Sequence, residues 1–205
     1  MSEMSAEYSA EERRWLLRLA HQSIREAVCQ SRRTKQFPHS PKGGADVGHP
    51  PIPHLKELRG AFVTLHENGA LRGCIGMVMA VQPLDETVRE MARAAAVEDS
   101  RFEPVTEAEL EKLQLEISVL SPMFEIAPED VVVGRHGLMV SYGGRRGLLL
   151  PQVAPEWGWD RETLLAQTCH KAGLPPEQWK HGATLEAFTA EVFGEAEPGE
   201  SLRPS

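Results

Sequence analysis

The sequence has no long apolar run, and its first residues are polar. No stretch approaches the roughly 20 consecutive apolar residues that a transmembrane helix requires. Residues 1–12 are polar and acidic and lack the apolar region of a signal peptide. We therefore expect a soluble, cytoplasmic protein that contacts no membrane.

Cysteine is scarce, and no metal-binding spacing is present. The three cysteines, Cys29, Cys74 and Cys169, are far apart and odd in number, which argues against a disulfide framework and predicts reduced thiols. The sequence contains no Cys-x-x-Cys and no His-Glu-x-x-His. Cys169 and His170 are adjacent, so on a helix their side chains point about 100° apart and do not share a metal ion. We predict no metal and no cofactor.

Basic residues are outnumbered by acidic ones. The chain has 22 Lys and Arg against 30 Asp and Glu, a formal charge of −8 and a pI near 5.5. General nucleic-acid binding is not expected, because non-specific contact with phosphates depends on clustered Lys and Arg. The length of 205 residues favours one compact domain. We predict this domain over residues 1–194, followed by a disordered tail over residues 195–205, which has no apolar pattern.

Three long helices are predicted from end signals and from apolar residues at helical spacing. The first begins at a capping box, in which Ser9 and Glu12 bond to each other's backbone N–H groups. Asp160 is the predicted N-cap of the third helix. We expect these helices over residues 9–30, 83–99 and 160–173.

Two hairpins are predicted by the turn sequences Asn68-Gly69 and Gly143-Gly144. If the first loop has two residues, Cys74 lies opposite Val63 and shares a strand face with Arg72. Thr106 and Glu109 form a second capping box, which opens a short helix. Strands are expected over residues 61–65, 71–78, 115–120, 131–133, 138–142, 146–150 and 185–193.

These elements predict the α+β class. Hairpins outnumber strand–helix–strand units, so we expect a mixed, largely antiparallel sheet with helices packed on it. Residues 32–53 are rich in proline and glycine and are predicted to form a long loop. Loops of this length are either functional or disordered, and both alternatives remain open.

Four segments resemble signatures of the AMMECR family. Residues 71–76, with the sequence LRGCIG, are similar to its hallmark hexapeptide, and residues 98–105 are similar to its Asp-x-Arg-Phe segment. Residues 146–154 and 169–175 resemble its C-terminal signatures. The resemblance spans about residues 10–194 in the right order, so a chance match of one short motif does not explain it.

The resemblance implies a fold with a larger and a smaller subdomain around a cleft, and it suggests partners. Members of the family tend to be encoded beside, or fused to, a Memo-type protein and a radical S-adenosylmethionine enzyme, in what is called the AmmeMemoRadiSam system. A shared modification pathway, acting on a small or macromolecule-borne substrate, is the expectation. By resemblance alone, Gln152, Glu156 and Lys171 are polar groups of the cleft.

Cys74 and Arg72 are the predicted catalytic residues. A guanidinium beside a thiol favours the nucleophilic thiolate. The alternative is a packing thiol, because free cysteine is among the most commonly buried residues.

Further residues of the hexapeptide and of the Asp-x-Arg-Phe segment are predicted to bind substrate. Arg72 and Arg101 could clamp a carboxylate or phosphate. Alternatively, Arg72 pairs with Asp99 as an internal strut and Arg101 caps a helix end. Gly73 and Gly76 indicate close approach of a ligand or of another backbone, or a bulge.

Two functions remain open at this point. The first is an enzyme or substrate-handling subunit that uses Cys74. The second is a non-catalytic adaptor that binds a protein or RNA partner, with RNA disfavoured by the acidic charge balance.

Overall fold

The computed structural model describes residues 7–36 and 52–195. Its α-helices are α1 (Ala10–Gln36), α2 (Leu84–Val97), α3 (Val153–Glu156) and α4 (Arg161–Lys171). Its strands are β1 (Ala61–Glu67), β2 (Ala70–Met77), β3 (Leu113–Leu120), β4 (Phe124–Glu125), β5 (Gly137–Tyr142), β6 (Arg145–Leu149), β7 (Thr184–Phe188) and β8 (Ala190–Gly194). The α+β class is confirmed. Among these described residues, no helix has the length and apolar character needed to cross a membrane.

The described residues form two compact units, each with its own sheet. Residues up to Val119 and from Glu191 onward make the first unit, and Leu120–Ala190 makes the second. The strand order is β2-β1-β3-β8 in one sheet and β4-β7-β5-β6 in the other. The strands are thus divided between two sheets rather than joined in one. A single domain over residues 1–194 with a cleft stays a prediction.

In the first unit, α1 and α2 supply buried side chains to the same core as the sheet. Every second residue of β1, namely Ala61, Val63 and Leu65, is fully buried, and the residues between them are only half-buried. Since side chains alternate between the faces of a strand, one face of this sheet lies in the core. The other face is partly open to solvent.

The predicted capping box begins α1. The Ser9 N–H donates to Glu12 Oε2 at 2.8 Å, and the Glu12 N–H donates to Ser9 Oγ at 3.3 Å. The helix continues beyond residue 30 to Gln36, so the predicted loop begins later than expected. Residues 37–51 of that loop and residues 196–205 of the predicted tail lie outside the described residues. Pro53–Lys56 forms a 3-10 turn.

In the second unit, α4 packs on the β5–β6 hairpin. Asp160 accepts a hydrogen bond from the Thr163 N–H at 2.8 Å, which confirms the predicted N-cap. Gly143 and Gly144 have φ of +56° and +79°, as a type I′ hairpin turn requires. A Cβ at Gly147 would run into the backbone at Ala172, so glycine at this position lets β6 and the end of α4 approach closely.

Two strand predictions in this part of the chain were wrong. Residues 131–133 follow a 3-10 turn and form no strand. The valine run suits a strand by propensity, but propensity is a weak guide without a partner strand. Residues 185–193 form two strands, β7 and β8, which belong to different sheets. The break falls at Thr189, whose N–H and C=O are bonded to Ser121.

Candidate functional site

A β-bulge in the first hairpin determines which way Cys74 points. The strands pair as predicted next to the turn, but Arg72 has no partner on β1, and the register shifts there. Beyond the bulge Cys74 pairs with Thr64 rather than with Val63, so the predicted register is wrong by one residue. A shift of one residue moves every later side chain to the other face of the sheet.

The bulge places Cys74 on the half-exposed face. The predicted neighbours Val63 and Leu65 are buried on the core face, whereas Cys74 and Thr64 lie half-buried on the opposite face. Thr64 Oγ1 lies 3.3 Å from Cys74 Sγ and donates a hydrogen bond to it. Packing of the thiol against Val63 and Leu65 is therefore ruled out. Cys74 is therefore a partly exposed residue on the face of the sheet that does not lie in the core.

The two glycines of the hexapeptide make room for protein atoms. A Cβ at Gly73 would lie well inside contact distance of the Ala95 carbonyl oxygen, so its absence allows α2 to pack directly on β2. A Cβ at Gly76 would collide with the ring of Phe62, which covers that position from the neighbouring strand. Close backbone approach is confirmed at Gly73, and the bulge lies at the residue before it. An aromatic ring fills the space at Gly76.

Asp99 is the most heavily bonded side chain of the site. Its carboxylate accepts from the Cys74 N–H at 2.9 Å, from the Arg101 N–H at 3.2 Å, and from Arg101 Nε and Nη2 at 2.9 and 2.7 Å. The side chain is only 4% exposed. Hydrogen bonds from Arg101, followed by those from the two backbone N–H groups, hold the pKa of Asp99 well below its usual range despite burial.

Asp99 and Arg101 together bond the free edge of β2 at Cys74. Because β2 is the outer strand of its sheet, main-chain groups that point away from β1 lack a strand partner. The Cys74 N–H donates to Asp99, and the Cys74 C=O accepts from Arg101 Nη2 at 3.1 Å. The pair therefore fixes the backbone of the cysteine as well as closing an ion pair.

Arg101 is the cation beside the sulfur. The Asp99 carboxylate raises the pKa of Arg101, and the side chain of Cys74 adds to the rise because the thiol group lies within reach of the guanidinium. The Arg101 side chain is 54% exposed. Thr64 thus donates to the sulfur of Cys74, and Arg101 donates to its carbonyl oxygen.

Arg72 is bonded elsewhere. Its Nε donates to Glu109 Oε1 at 2.8 Å, and the pairing of Arg72 with Asp99 that we considered is wrong. The bulge explains the difference, since Arg72 is the extra residue and leaves the regular alternation of the strand. The other oxygen of Glu109 accepts from Thr106 N and Oγ1, both at 2.7 Å. These bonds, first that from Arg72, lower the pKa of Glu109 to about 2. Of the predicted capping box, the bond from the Thr106 N–H is present, whereas the Glu109 N–H donates to the Thr106 carbonyl oxygen rather than to its hydroxyl.

The Arg72–Glu109 pair predicts an acid-dependent loss of stability. The folded-state pKa of Glu109 lies below the value of 4.5 expected when it is unpaired, so its contribution is full above about pH 5 and is lost as the pH falls toward about 2. Comparing wild type with Glu109→Gln by urea unfolding, we expect a difference of about 2 kcal/mol at pH 7. The difference should shrink severalfold at about pH 2.5, and a constant difference would contradict the assignment.

The predicted residues of the second unit lie on two elements. Gln152 directly precedes α3, Glu156 is the last residue of that helix, and Lys171 is the last residue of α4. Glu156 and Lys171 are exposed. That Gln152, Glu156 and Lys171 share one site with Cys74 stays a prediction. Trp157, 70% exposed, stacks on Trp159 with ring centroids 6.2 Å apart.

Thr64 and Glu109 were not among the predicted site residues. Thr64 could be found only from the correct register, which the bulge alters. Glu109 was visible as a capping residue but not as the partner of Arg72.

A separate cluster of Glu7, His54 and Glu57 brings possible metal-ligand atoms within 4.8 Å of one another. Arg59 Nη2 already bridges its two carboxylates at 2.7 and 2.8 Å.

Comparison with known proteins places this geometry in a family. The family model described as AMMECR1 matches residues 17–193. A protein of Thermococcus onnurineus is 45% identical over 196 residues, which cover 90% of each chain. Protein MJ0810 of Methanocaldococcus jannaschii is 45% identical over 154 residues, 70% of this chain and 77% of that one. The crystal structure of the uncharacterized protein PH0010 from Pyrococcus horikoshii is similar with a TM-score of 0.67 and 41% identity, over 90% of this chain and 91% of that one.

Proposed function

The chain belongs to the AMMECR1 family, and from this premise we propose that it is the catalytic or substrate-handling component of a modification pathway, with the Cys74 thiol as the reacting group. The pathway is shared with a Memo-type protein and a radical S-adenosylmethionine enzyme as partners. The three cysteines of the chain are free thiols, which fits a reducing compartment such as the cytoplasm.

One observation supports this proposal above the others. Cys74 Sγ lies on the half-exposed face of a sheet, with a hydroxyl donor from Thr64 at 3.3 Å and the Arg101 guanidinium within reach. A thiol whose only role was packing would be fully buried in a core, as Cys169 is in the second unit. A partly exposed thiol that is held in place by hydrogen bonds suits a nucleophile.

The reaction step follows from this arrangement. The thiol releases its proton to water, and the sulfur forms a bond to an electrophilic carbon of the substrate. The displaced group leaves that carbon with the bonding electron pair. Asp99 and Arg101 hold the Cys74 backbone in place, so the sulfur is presented without reorganisation. Arg72 acts as a positioning residue, because its bond to Glu109 ties the bulge to the segment before β3.

Site-resolved alkylation tests the proposal. The chain contains three free thiols that differ in exposure and can be compared in one molecule. Cys29 is exposed, Cys74 is half-buried and Cys169 is buried. If exposure alone governs reactivity, iodoacetamide modifies Cys29 fastest. We expect Cys74 to react about tenfold faster than Cys29 at pH 7, as measured by mass spectrometry of the digested protein over time. Slower reaction at Cys74 than at Cys29 would end the nucleophile proposal.

A cellular test separates the enzyme from an adaptor. Cys74→Ser should abolish the output of the pathway while leaving association with the Memo-type protein intact in a pull-down. If the variant supports the full output and still forms the complex, the chain acts as an adaptor and the thiol is not used.

A further inference from the structure

The Arg101 guanidinium has hydrogen-bonding capacity that its protein contacts do not use. An arginine side chain has five N–H donors in a planar fork. Nε and Nη2 supply the bonds to Asp99 and to the Cys74 carbonyl. Among the described residues, no hydrogen bond is made from Nη1. Because more than half of the side chain is exposed, this end of the fork is open to a ligand.

The orientation of the guanidinium is fixed from behind. Asp99, which is almost fully buried, engages one edge of the fork with both of its oxygens. Such a bidentate pair holds the plane of the guanidinium and reduces the entropy lost when its other edge binds an anion. The ring of Phe102 lies 5.4 Å from the guanidinium carbon and supports it further.

The arginine of the hexapeptide, Arg72, is not available in this way. Arg72 is only 15% exposed, and its Nε donates to Glu109, which is itself shielded. Of the two arginines that we expected to bind an anion, only Arg101 therefore remains available. Because Arg101 Nη2 donates to the Cys74 carbonyl oxygen at 3.1 Å, an anion bound at Nη1 of the same guanidinium is held close to this residue.

We propose that Cys74 and Arg101 form a site for an anionic electrophile, a substrate that carries a carboxylate or phosphate group close to the carbon attacked by the sulfur. This inference rests on the proposed function of Cys74 and adds its substrate class. Arg101 binds the anionic group, Thr64 donates to the sulfur, and Asp99 orients the guanidinium. A neutral electrophile of the same size lacks the charge-assisted hydrogen bond.

Two reagents that differ only in charge test the proposal. Iodoacetate and iodoacetamide both transfer a two-carbon unit, forming a sulfur–carbon bond as iodide leaves with the bonding electrons. The ratio of their rate constants at Cys74 is divided by the same ratio at Cys29 of the same molecule, which cancels the intrinsic difference between the reagents. We expect this normalised ratio to be about ten, which corresponds to a difference of about 1.4 kcal/mol in activation free energy.

Two arginine variants locate the effect. Arg101→Gln should lower the normalised ratio to about one, and Arg101→Lys should retain part of it, because the charge remains without the fork. Arg93→Gln is the matched control, since this half-exposed arginine of α2 pairs with Glu98 at the end of the same helix, and it should leave the ratio unchanged. A wild-type ratio of one, or a raised ratio that survives Arg101→Gln, would overturn the proposal.

Inorganic phosphate provides two measurements, of which the second does not depend on thiol chemistry. It should slow iodoacetate modification of Cys74 in the wild type, and it should raise the thermal midpoint of Cys74→Ser but not of Cys74→Ser/Arg101→Gln. If Cys74 reacts with neither reagent, the proposed function fails, and the phosphate shift alone decides whether the anion site exists. If Arg101→Gln does not fold, phosphate competition in the wild type still decides the question.

Discussion

A Gly73→Ala variant is expected to lose about 3 kcal/mol of its free energy of unfolding. The added methyl would collide with the carbonyl oxygen of Ala95, and that atom belongs to the backbone of α2. No side-chain rearrangement can therefore relieve the contact, so β2 must separate from the helix. Gly73 does not have a positive φ, and the cost is steric rather than conformational. Urea unfolding followed by circular dichroism measures it.

A second glycine provides the control. Gly158 has a φ of +65°, and no atom lies within 4 Å of the position that an added methyl group would occupy. Gly158→Ala therefore incurs only the left-handed backbone strain of about 1 kcal/mol. The variant at Gly73 should also change the alkylation rate of Cys74, since the strand that carries the thiol moves. If both variants lose the same free energy of unfolding, close packing of α2 on β2 is not the reason why glycine is needed at position 73.

Asp99→Asn is expected to destabilise the protein by about 3 kcal/mol. An amide has one acceptor oxygen where the carboxylate has two, and its NH₂ group faces donors from Arg101 and from the Cys74 backbone. The substitution also leaves the edge of β2 poorly bonded at Cys74. Because buried groups that lose a charged partner carry the full cost of desolvation, the loss should exceed that of an ordinary hydrogen bond. Denaturant unfolding at pH 7 measures it.

The adjacent carboxylate is a matched control. Glu98 pairs with Arg93 at 2.6 Å, a distance comparable to that of Asp99 with Arg101, but its side chain is 51% exposed. Exposed ion pairs contribute little, so Glu98→Gln should cost less than about 0.5 kcal/mol. A combined Asp99→Asn/Arg101→Gln variant should be less destabilised than the sum of the single variants. Strict additivity would contradict a coupled pair.

The predictable features of this fold are local. Ser9 and Glu12 form the capping box that their spacing indicates, and Asp160 caps α4. Gly143-Gly144 forms the predicted turn. Each of these depends on residues within three or four positions of one another, where backbone geometry leaves few alternatives.

The wrong predictions depend on partners that are distant in the chain. The pairing of Thr64 with Cys74 follows from a bulge that a regular hairpin rule does not include. Residues 185–193 look like one strand, but Thr189 is bonded to Ser121, 68 residues away, and the strand divides there. An apolar run indicates that a segment forms a strand, but it does not indicate which sheet that strand joins.

The candidate site shows the same division. The sequence by itself determined the family resemblance and the α+β class, since these are properties of short residue patterns. Only the tertiary structure decided that Arg101 rather than Arg72 bonds to Asp99 and to the backbone of Cys74, and that the thiol lies on the half-exposed face of the sheet. The physical reason is that one inserted strand residue reverses the direction of a side chain, and the ion pairs then form between whichever charges the folded backbone brings together.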